Sequence, residues 1–140
     1  LEMLTDTGTQ YVIAQRYVAE VRQGDKRIIL LDGKPIGATL RVPLPHEARA
    51  NIHTGGQCVK SDIDERDEEI CRTLAPRLRS DGLYLVGIDV IGGYLTEVNV
   101  TSPTGVQEIN ALNGVALEKP IIDFAETLVV EAKETAARKS

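Results

Sequence analysis

Three oxygen-bearing side chains, those of Asp89, Glu97 and Asn99, interrupt an apolar stretch of the 140-residue chain. The stretch is typical of two strands joined at Gly92-Gly93, so turn length decides which face each side chain occupies. A two-residue turn would divide them between both faces, among core residues, at a cost in desolvation. A three-residue loop over residues 92–94 would place Asp89 opposite Glu97, with all three on one face. The pattern therefore predicts the three-residue loop.

Two carboxylates opposed across a hairpin repel each other, and a divalent cation between them would remove that repulsion. Ligand sets made only of oxygen favour Mg²⁺ or Mn²⁺ over zinc. Mg²⁺ commonly keeps coordination positions for substrate phosphates. The alternative is a solvated strand face whose charges are held apart by water.

Two arginines could form a clamp for an anion. Arg27 and Arg41 lie on the predicted strands on either side of a hairpin turn at residues 32–34. With a short turn, both side chains reach similar heights, and guanidinium groups match phosphate oxygens. Two solvated strand arginines that pair with nearby acids are the alternative.

Residues 43–60 show neither helical nor strand periodicity, and we expect a long loop there. The loop contains Arg49 and Asn51, followed by Gly55 and Gly56. Backbone N–H groups of such a glycine-containing loop could fold over phosphates. A surface loop without a binding role is the alternative. Together, the metal face, the arginines and this loop favour phosphoryl transfer.

Composition indicates one globular domain, with 42% hydrophobic and 26% charged residues. The net charge of -5 argues against a nucleic-acid surface. We find no membrane-spanning apolar run and no signal peptide. Two cysteines are too few for a disulfide framework, and a reducing cytoplasm is the simplest setting. The chain begins with Leu1 rather than methionine, and we expect a fragment of a longer protein.

The order of predicted elements indicates an antiparallel α+β fold with flanking helices, not a doubly wound parallel sheet. Strands are predicted at residues 11–18, 26–31 and 35–42, before the central hairpin. A helix is predicted to begin near Ser61 or Asp62 and to end at Asp81-Gly82. Two more helices are predicted, at residues 106–112 and 118–137.

With these motifs, the chain resembles bacterial glutathione synthetases, which are ATP-grasp ligases, over about residues 4–131. The most specific matches are Gly-Ile-Asp-Val-Ile-Gly at 87–92 and Leu-Thr-Glu-Val-Asn-Val-Thr-Ser-Pro-Thr at 95–104. Further matches are Ala-Gln-Arg-Tyr at 14–17, Gly-Asp-Lys-Arg at 24–27, and Glu-Ala-Arg-Ala-Asn at 47–51 followed by Gly55-Gly56. The resemblance implies that residues 1–140 form the C-terminal lobe of an ATP-grasp fold.

The resemblance also implies a role for each site residue. Asp89, Glu97 and Asn99 would hold the Mg²⁺ or Mn²⁺ that bridges ATP phosphates. The remaining assignments are ATP contacts at Gln15, Arg16, Tyr17, Val18, Asp25, Asn51, Gly55 and Gly56, catalytic roles for Arg27, Arg41 and Arg49, and substrate contacts at Ser102, Pro103, Thr104 and Gly105. Within these sets, Asp25 falls near the ribose, and Arg27 and Arg41 steady an acyl phosphate.

The reaction that the resemblance implies joins γ-glutamylcysteine to glycine at the expense of ATP, which makes these two molecules the implied partners. It also implies a homo-oligomer. Family enzymes carry an N-terminal substrate domain and a middle lobe that we do not find here, so we expect the isolated chain to have little or no ligase activity. The competing hypotheses are another ATP-grasp ligase, such as a peptide- or D-alanine-joining enzyme, and a non-catalytic nucleotide- or metal-binding module.

Overall fold

The computed structural model describes residues 2–44 and 57–139 of the chain. Its strands are β1 (Asp25–Leu31), β2 (Lys34–Val42), β3 (Gln57–Lys60), β4 (Leu85–Ile91) and β5 (Tyr94–Asn99). Its α-helices are α1 (Glu65–Ser80), α2 (Val106–Asn113) and α3 (Glu118–Lys139), and a 3₁₀ helix covers Ala19–Gln23. The strands of the described part form one antiparallel sheet in the order β3-β2-β1-β4-β5. The predicted α+β class is confirmed.

The β1–β2 hairpin confirms the predicted turn at residues 32–34. Asp32 and Gly33 have φ values of 49° and 71°, which suit a tight two-residue turn. The turn packs on α1, because a Cβ atom added to Gly33 would lie 2.6 Å from the Cβ of Ala75. Arg79 of α1 also donates from Nε to Asp32 Oδ1 at 2.9 Å. These contacts attach the hairpin to the helix.

The sheet separates two apolar clusters, because side chains alternate between its faces. One cluster packs the sheet against α1 and contains Ile28, Leu30, Ala38, Ile70, Cys71, Leu78, Val86, Ile88 and Val90. The other cluster lies beneath α2 and the start of α3, and its buried members are Ile29, Ile109 and Leu117. The second face therefore has less apolar packing, and it also carries the charged groups described below.

Helix α1 begins later than predicted. Asp64, not Ser61 or Asp62, is its N-cap, and the Asp64 carboxylate accepts from the backbone N–H of Asp67 at 2.9 Å. The Asp67 carboxylate accepts in return from the Asp64 N–H at 3.0 Å. This reciprocal capping box satisfies two backbone donors that the helix leaves free, which fixes the start at Glu65. The predicted end at residues 81–82 is confirmed, since Asp81 is the C-cap.

Two strand predictions are wrong. Residues 11–18 belong to no strand, although their composition favours one, and Tyr11 and Ile13 are almost fully exposed. Strand propensity reflects packing on paired neighbouring strands, and residues 11–18 do not pair with any strand of the described sheet. Conversely, Gln57–Lys60 lies within the predicted loop at residues 43–60 but forms β3, which pairs with β2.

The last two helices confirm the predicted positions, and α3 extends to Lys139. Only part of the apolar side of α3 is covered. Ile121 and Leu128 are half-buried, whereas Ile122 and Val129 are exposed. Across residues 2–44 and 57–139, no helix has the length and apolar character needed to cross a membrane.

Candidate active site

The β4–β5 hairpin closes with a tighter turn than the sequence predicted. Ile91 pairs with Tyr94 across Gly92 and Gly93, so the turn has two residues and the predicted three-residue loop is wrong. The two glycines have φ values of +58° and +76°. Such angles are those of a type I′ turn, whose twist matches that of the strands.

A β-bulge restores the predicted register one step further along the hairpin. Val90 pairs with Leu95, but Asp89 pairs with Glu97, which leaves Thr96 as the extra residue. The Thr96 hydroxyl donates to the backbone carbonyl of Asp89 at 3.0 Å and so holds the bulge in place. The prediction that Asp89 lies opposite Glu97 is therefore confirmed, although by a different backbone route.

The third member of the predicted metal set lies next to this pair. Asn99 follows Glu97 by two residues on β5, so both side chains belong to the same face, and Asn99 pairs with Gly87 of β4. Glu97 is exposed and Asn99 is half-buried. The side-chain nitrogen of Asn99 is buried without a hydrogen-bond partner among the described residues.

Asp89 is held by both predicted clamp arginines. Its Oδ1 accepts from Arg27 Nε at 2.5 Å and lies 2.9 Å from Arg41 Nη2, while Oδ2 accepts from Arg27 Nη2 at 3.0 Å. Asp89, Arg27 and Arg41 are 2%, 6% and 7% exposed. Burial opposes ionisation of Asp89, but the two arginines prevail and lower the pKa of this carboxyl. The predicted convergence of the arginines is confirmed, with a carboxylate at their meeting point.

Asp25 completes a group of two carboxylates and two guanidiniums. It pairs with Arg41 across β1 and β2, and its Oδ2 accepts from Arg41 Nη2 at 2.5 Å. Burial raises the pKa of Asp25, and Arg41 only partly offsets this because the charge of Asp89 acts in the same direction as burial. Asp25 Oδ1 and Arg41 Nε have no hydrogen-bond partner among the described residues. Buried polar atoms of this kind are suited to bind a polar ligand.

The predicted substrate segment packs directly on Arg27. The Arg27 Nη1 atom donates to the backbone carbonyl of Thr104 at 3.0 Å. A Cβ atom added to Gly105 would lie 3.1 Å from Arg27 Cγ, and one added to Gly87 would lie 2.9 Å from Pro103 Cβ. The structure therefore brings residues 102–105 to the same face as Asp89.

The predicted ATP-contact residues 15–18 lie at a cleft on the other side of the bulge. Gln15, Arg16, Tyr17 and Val18 line a cavity of about 500 Å³ together with Glu20, Tyr94, Leu95 and Thr96. Thr96 lines this cleft, and its hydroxyl also donates to the Asp89 carbonyl. Thr96 therefore contacts both the cleft and the strand that carries Asp89. Sequence analysis missed Thr96, because its role depends on the bulge.

The donor set of the predicted metal site fits Mg²⁺ or Mn²⁺. Asp89, Glu97 and Asn99 offer hard oxygen atoms, and an amide can turn its oxygen toward a cation. The described residues contain no group of three or more His, Cys, Asp or Glu side chains suited to a metal, and the predicted set has two carboxylates and one amide. Arg49, Asn51, Gly55 and Gly56 lie outside the described residues.

Comparisons with known proteins point to one enzyme family. Residues 1–114 match the family model described as "Prokaryotic glutathione synthetase, ATP-grasp domain". A glutathione synthetase of Gloeobacter violaceus is 59% identical over 124 residues, which are 89% of this chain and 38% of that protein. Those of Thermosynechococcus vestitus and Synechococcus elongatus are 57% identical over 87% of the chain and 54% identical over 92%. The chain spans 38–40% of the length of these curated relatives.

Proposed function

The chain belongs to the prokaryotic glutathione synthetase family, through its ATP-grasp domain, and on this basis we propose that it forms part of an ATP-dependent ligase that makes glutathione. The observation that carries the proposal is the Asp89–Glu97 pair beside two buried arginines. Carboxylates for a cation and guanidiniums for an anion, on one face, are what phosphoryl transfer requires.

The proposed reaction has two steps. The carboxylate of γ-glutamylcysteine attacks the γ-phosphorus of ATP, which gives an acyl phosphate and ADP. The amine of glycine then attacks the acyl carbon, a proton leaves the nitrogen, and phosphate departs as glutathione forms. Arg27 and Arg41 would neutralise charge on the transferred phosphoryl group and on the departing phosphate.

Asp89, Glu97 and Asn99 would hold Mg²⁺ or Mn²⁺, which when bound would reduce the repulsion between the nucleotide phosphates and the incoming carboxylate. The cleft lined by residues 15–18 is suited to the adenine, because backbone N–H and C=O groups without strand partners are available there. Residues 102–105 would lie beside the substrate, since Thr104 contacts Arg27. Asp25 would reach the ribose through Oδ1, which has no hydrogen-bond partner among the described residues, while Oδ2 keeps its bond to Arg41.

The 140 residues by themselves would support little ligase activity. The chain corresponds to about two fifths of the relatives it matches, and an N-terminal substrate domain and a middle lobe would have to supply the rest of the cleft. Assembly into a homo-oligomer belongs to the same proposal. A suitable test of the reaction therefore uses a chimera, in which this chain replaces the matching part of the Gloeobacter violaceus relative.

The chimera should form glutathione from ATP, γ-glutamylcysteine and glycine, with one ADP released for each glutathione. Glu97→Gln should lower the rate about 100-fold or more, because it removes a charge that acts on the reacting phosphates. Glu126→Gln, at an exposed position of α3, is the matched control and should leave the rate unchanged.

A folded chimera that binds ATP but joins a different amine would refute the assignment of glycine as the acceptor. A Glu97→Gln chimera that keeps the full rate would refute the role of the hairpin in holding the metal. Glutathione formation at the full rate by the 140-residue chain alone would contradict the proposal that other lobes complete the cleft.

A further inference from the structure

The carboxylate at the centre of the site already has partners. Asp89 Oδ1 contacts both Arg27 Nε and Arg41 Nη2, and Oδ2 contacts Arg27 Nη2. Any cation that binds Asp89 must share these oxygen atoms with two positive groups. The metal and the arginines therefore compete for one carboxylate.

The two arginines are not held equally. Arg27 makes a two-point contact with Asp89 and is anchored a third time, by Nη1 to the Thr104 carbonyl. Arg41 reaches Asp89 through Nη2 alone, and the same atom donates to Asp25. Arg41 Nε is buried with no hydrogen-bond partner among the described residues. Arg41 thus has fewer bonds to lose and spare capacity to bind an anion.

We propose that Arg41 couples the two ligands of the site: it weakens metal binding at Asp89 until an anionic phosphate engages its guanidinium. This inference rests on the proposed function, because it takes Asp89, Glu97 and Asn99 as the metal ligands. A phosphate beside Arg41 neutralises the guanidinium and draws it from Asp89, so the carboxylate becomes available to the cation. By linkage, the metal strengthens phosphate binding by the same factor.

Asp25 acts in the opposite sense to Arg41. It holds Arg41 Nη2 at 2.5 Å, against 2.9 Å between the same nitrogen and Asp89. Loss of the Asp25 charge would leave Arg41 to pair with Asp89 alone and would strengthen the competition with the metal. Asp25 is therefore a positioning residue, which acts on the metal through Arg41 and not by contact.

The test measures the binding of Mn²⁺ to the 140-residue chain, with free Mn²⁺ followed by electron paramagnetic resonance. Arg41→Gln should raise the affinity for Mn²⁺ alone by about tenfold, within the usual range of coupling between sites. Asp25→Asn should lower the Mn²⁺ affinity. Arg41 then pairs with Asp89 alone, and a negative charge near the cation is lost as well. Excess inorganic phosphate should raise the affinity of the wild-type chain but not that of Arg41→Gln.

Arg72→Gln is the matched control, since it removes the same charge from an exposed position of α1 on the opposite face of the sheet. It should change the Mn²⁺ affinity less than twofold, because surface charges at a distance are screened. A rise in Arg72→Gln equal to that in Arg41→Gln would overturn the proposal, since net charge alone would then explain both.

Opposite effects of Arg41→Gln and Asp25→Asn on the Mn²⁺ affinity separate coupling from a loss of structure. Both substitutions break the Asp25–Arg41 pair, so structural damage would weaken Mn²⁺ binding in each. If Arg41→Gln does not fold, the phosphate effect on the Mn²⁺ affinity of the wild-type chain decides, and its absence overturns the proposal.

Glu97→Gln tests where the metal binds. If Glu97→Gln abolishes Mn²⁺ binding but Arg41→Gln does not raise the Mn²⁺ affinity, only the coupling is refuted. Full Mn²⁺ affinity in Glu97→Gln refutes the metal site of the proposed function as well.

Discussion

Gly87→Ala is a substitution whose effect follows directly from the packing of the site. Gly87 lies on β4, and the Cβ of an alanine there would be 2.9 Å from Pro103 Cβ and 3.2 Å from Arg27 Nη1. Carbon atoms in contact are normally about 3.5–4.0 Å apart. Pro103 would therefore have to move by roughly half an ångström or more. The movement acts on the segment that Arg27 holds through the Thr104 carbonyl.

The expected loss of stability is modest, because two effects oppose each other. Overpacking of this kind costs about 1–3 kcal/mol. Gly87 does not have a positive φ, so alanine introduces no backbone strain and recovers about 0.5–1 kcal/mol relative to glycine in a strand. The net change in the free energy of unfolding is thus a loss of about 0–2.5 kcal/mol. Its midpoint is near 1 kcal/mol, which corresponds to about 4 °C in Tm for a domain of this size.

The assay combines thermal unfolding with NMR spectra of residues 102–105. Gly37→Ala is the control, since its Cβ would lie 2.8 Å from Ile109 Cγ2 and 2.9 Å from Leu117 Cδ1, away from Arg27. Both variants should lose stability. Only Gly87→Ala should shift the amide resonances of Thr104 and Gly105.

The reasoning would be refuted by a Gly87→Ala chain that is as stable as the wild type and has unchanged resonances at residues 102–105. That result would mean that the segment does not press on β4. Equal shifts in both variants would show that the resonances report general loosening of this face. In either case, contact between residues 102–105 and Arg27 would no longer explain how the substrate segment is placed.

Two further predictions concern the α1 side of the sheet. Asp64→Ala should lower the free energy of unfolding by about 1 kcal/mol, because it removes the N-cap, whereas Asp62→Ala should have little effect in the same urea titration; an equal loss in both would contradict the cap. Burial raises the pKa of the Cys71 thiol to about 11, so the folded chain keeps a proton that the unfolded chain loses. Stability should therefore fall from about pH 9 to pH 11 by at most about 1.4 kcal/mol per pH unit, and equal pH slopes for wild type and Cys71→Ala would contradict this.

Local patterns were sufficient to predict the hairpins but not their details. The alternation of apolar and polar residues predicted that Asp89 faces Glu97, because a one-residue slip would bury the wrong side chains. It also predicted the wrong turn length, since it did not allow for a bulge. The bulge at Thr96 depends on a hydrogen bond to the opposite strand, and no local pattern specifies that bond.

Contacts between distant residues were the least predictable. Hairpin signals join β1 to β2 and β4 to β5, but the pairing of β1 with β4 connects residues about sixty positions apart, such as Arg27 and Asp89. The positions of Arg27 and Arg41 on either side of the turn predicted that these two side chains converge. They did not predict that a carboxylate lies between them. Residues 11–18 show the converse, because a composition that favours a strand is not sufficient where the segment does not pair with the described sheet.

The central strand β1 explains why the charged group is buried where it is. Its Ile28 and Leu30 belong to the larger cluster, under α1. Asp25 and Arg27 lie on the opposite face, where Ile29 is the residue of β1 that belongs to the smaller cluster. Burying a charge is tolerated when an opposite charge and hydrogen bonds compensate it. The apolar contacts that stabilise the fold are therefore concentrated on one face. The other face is left for charges that hold one another in place, and under our proposal a cation and a phosphate would in turn displace these contacts.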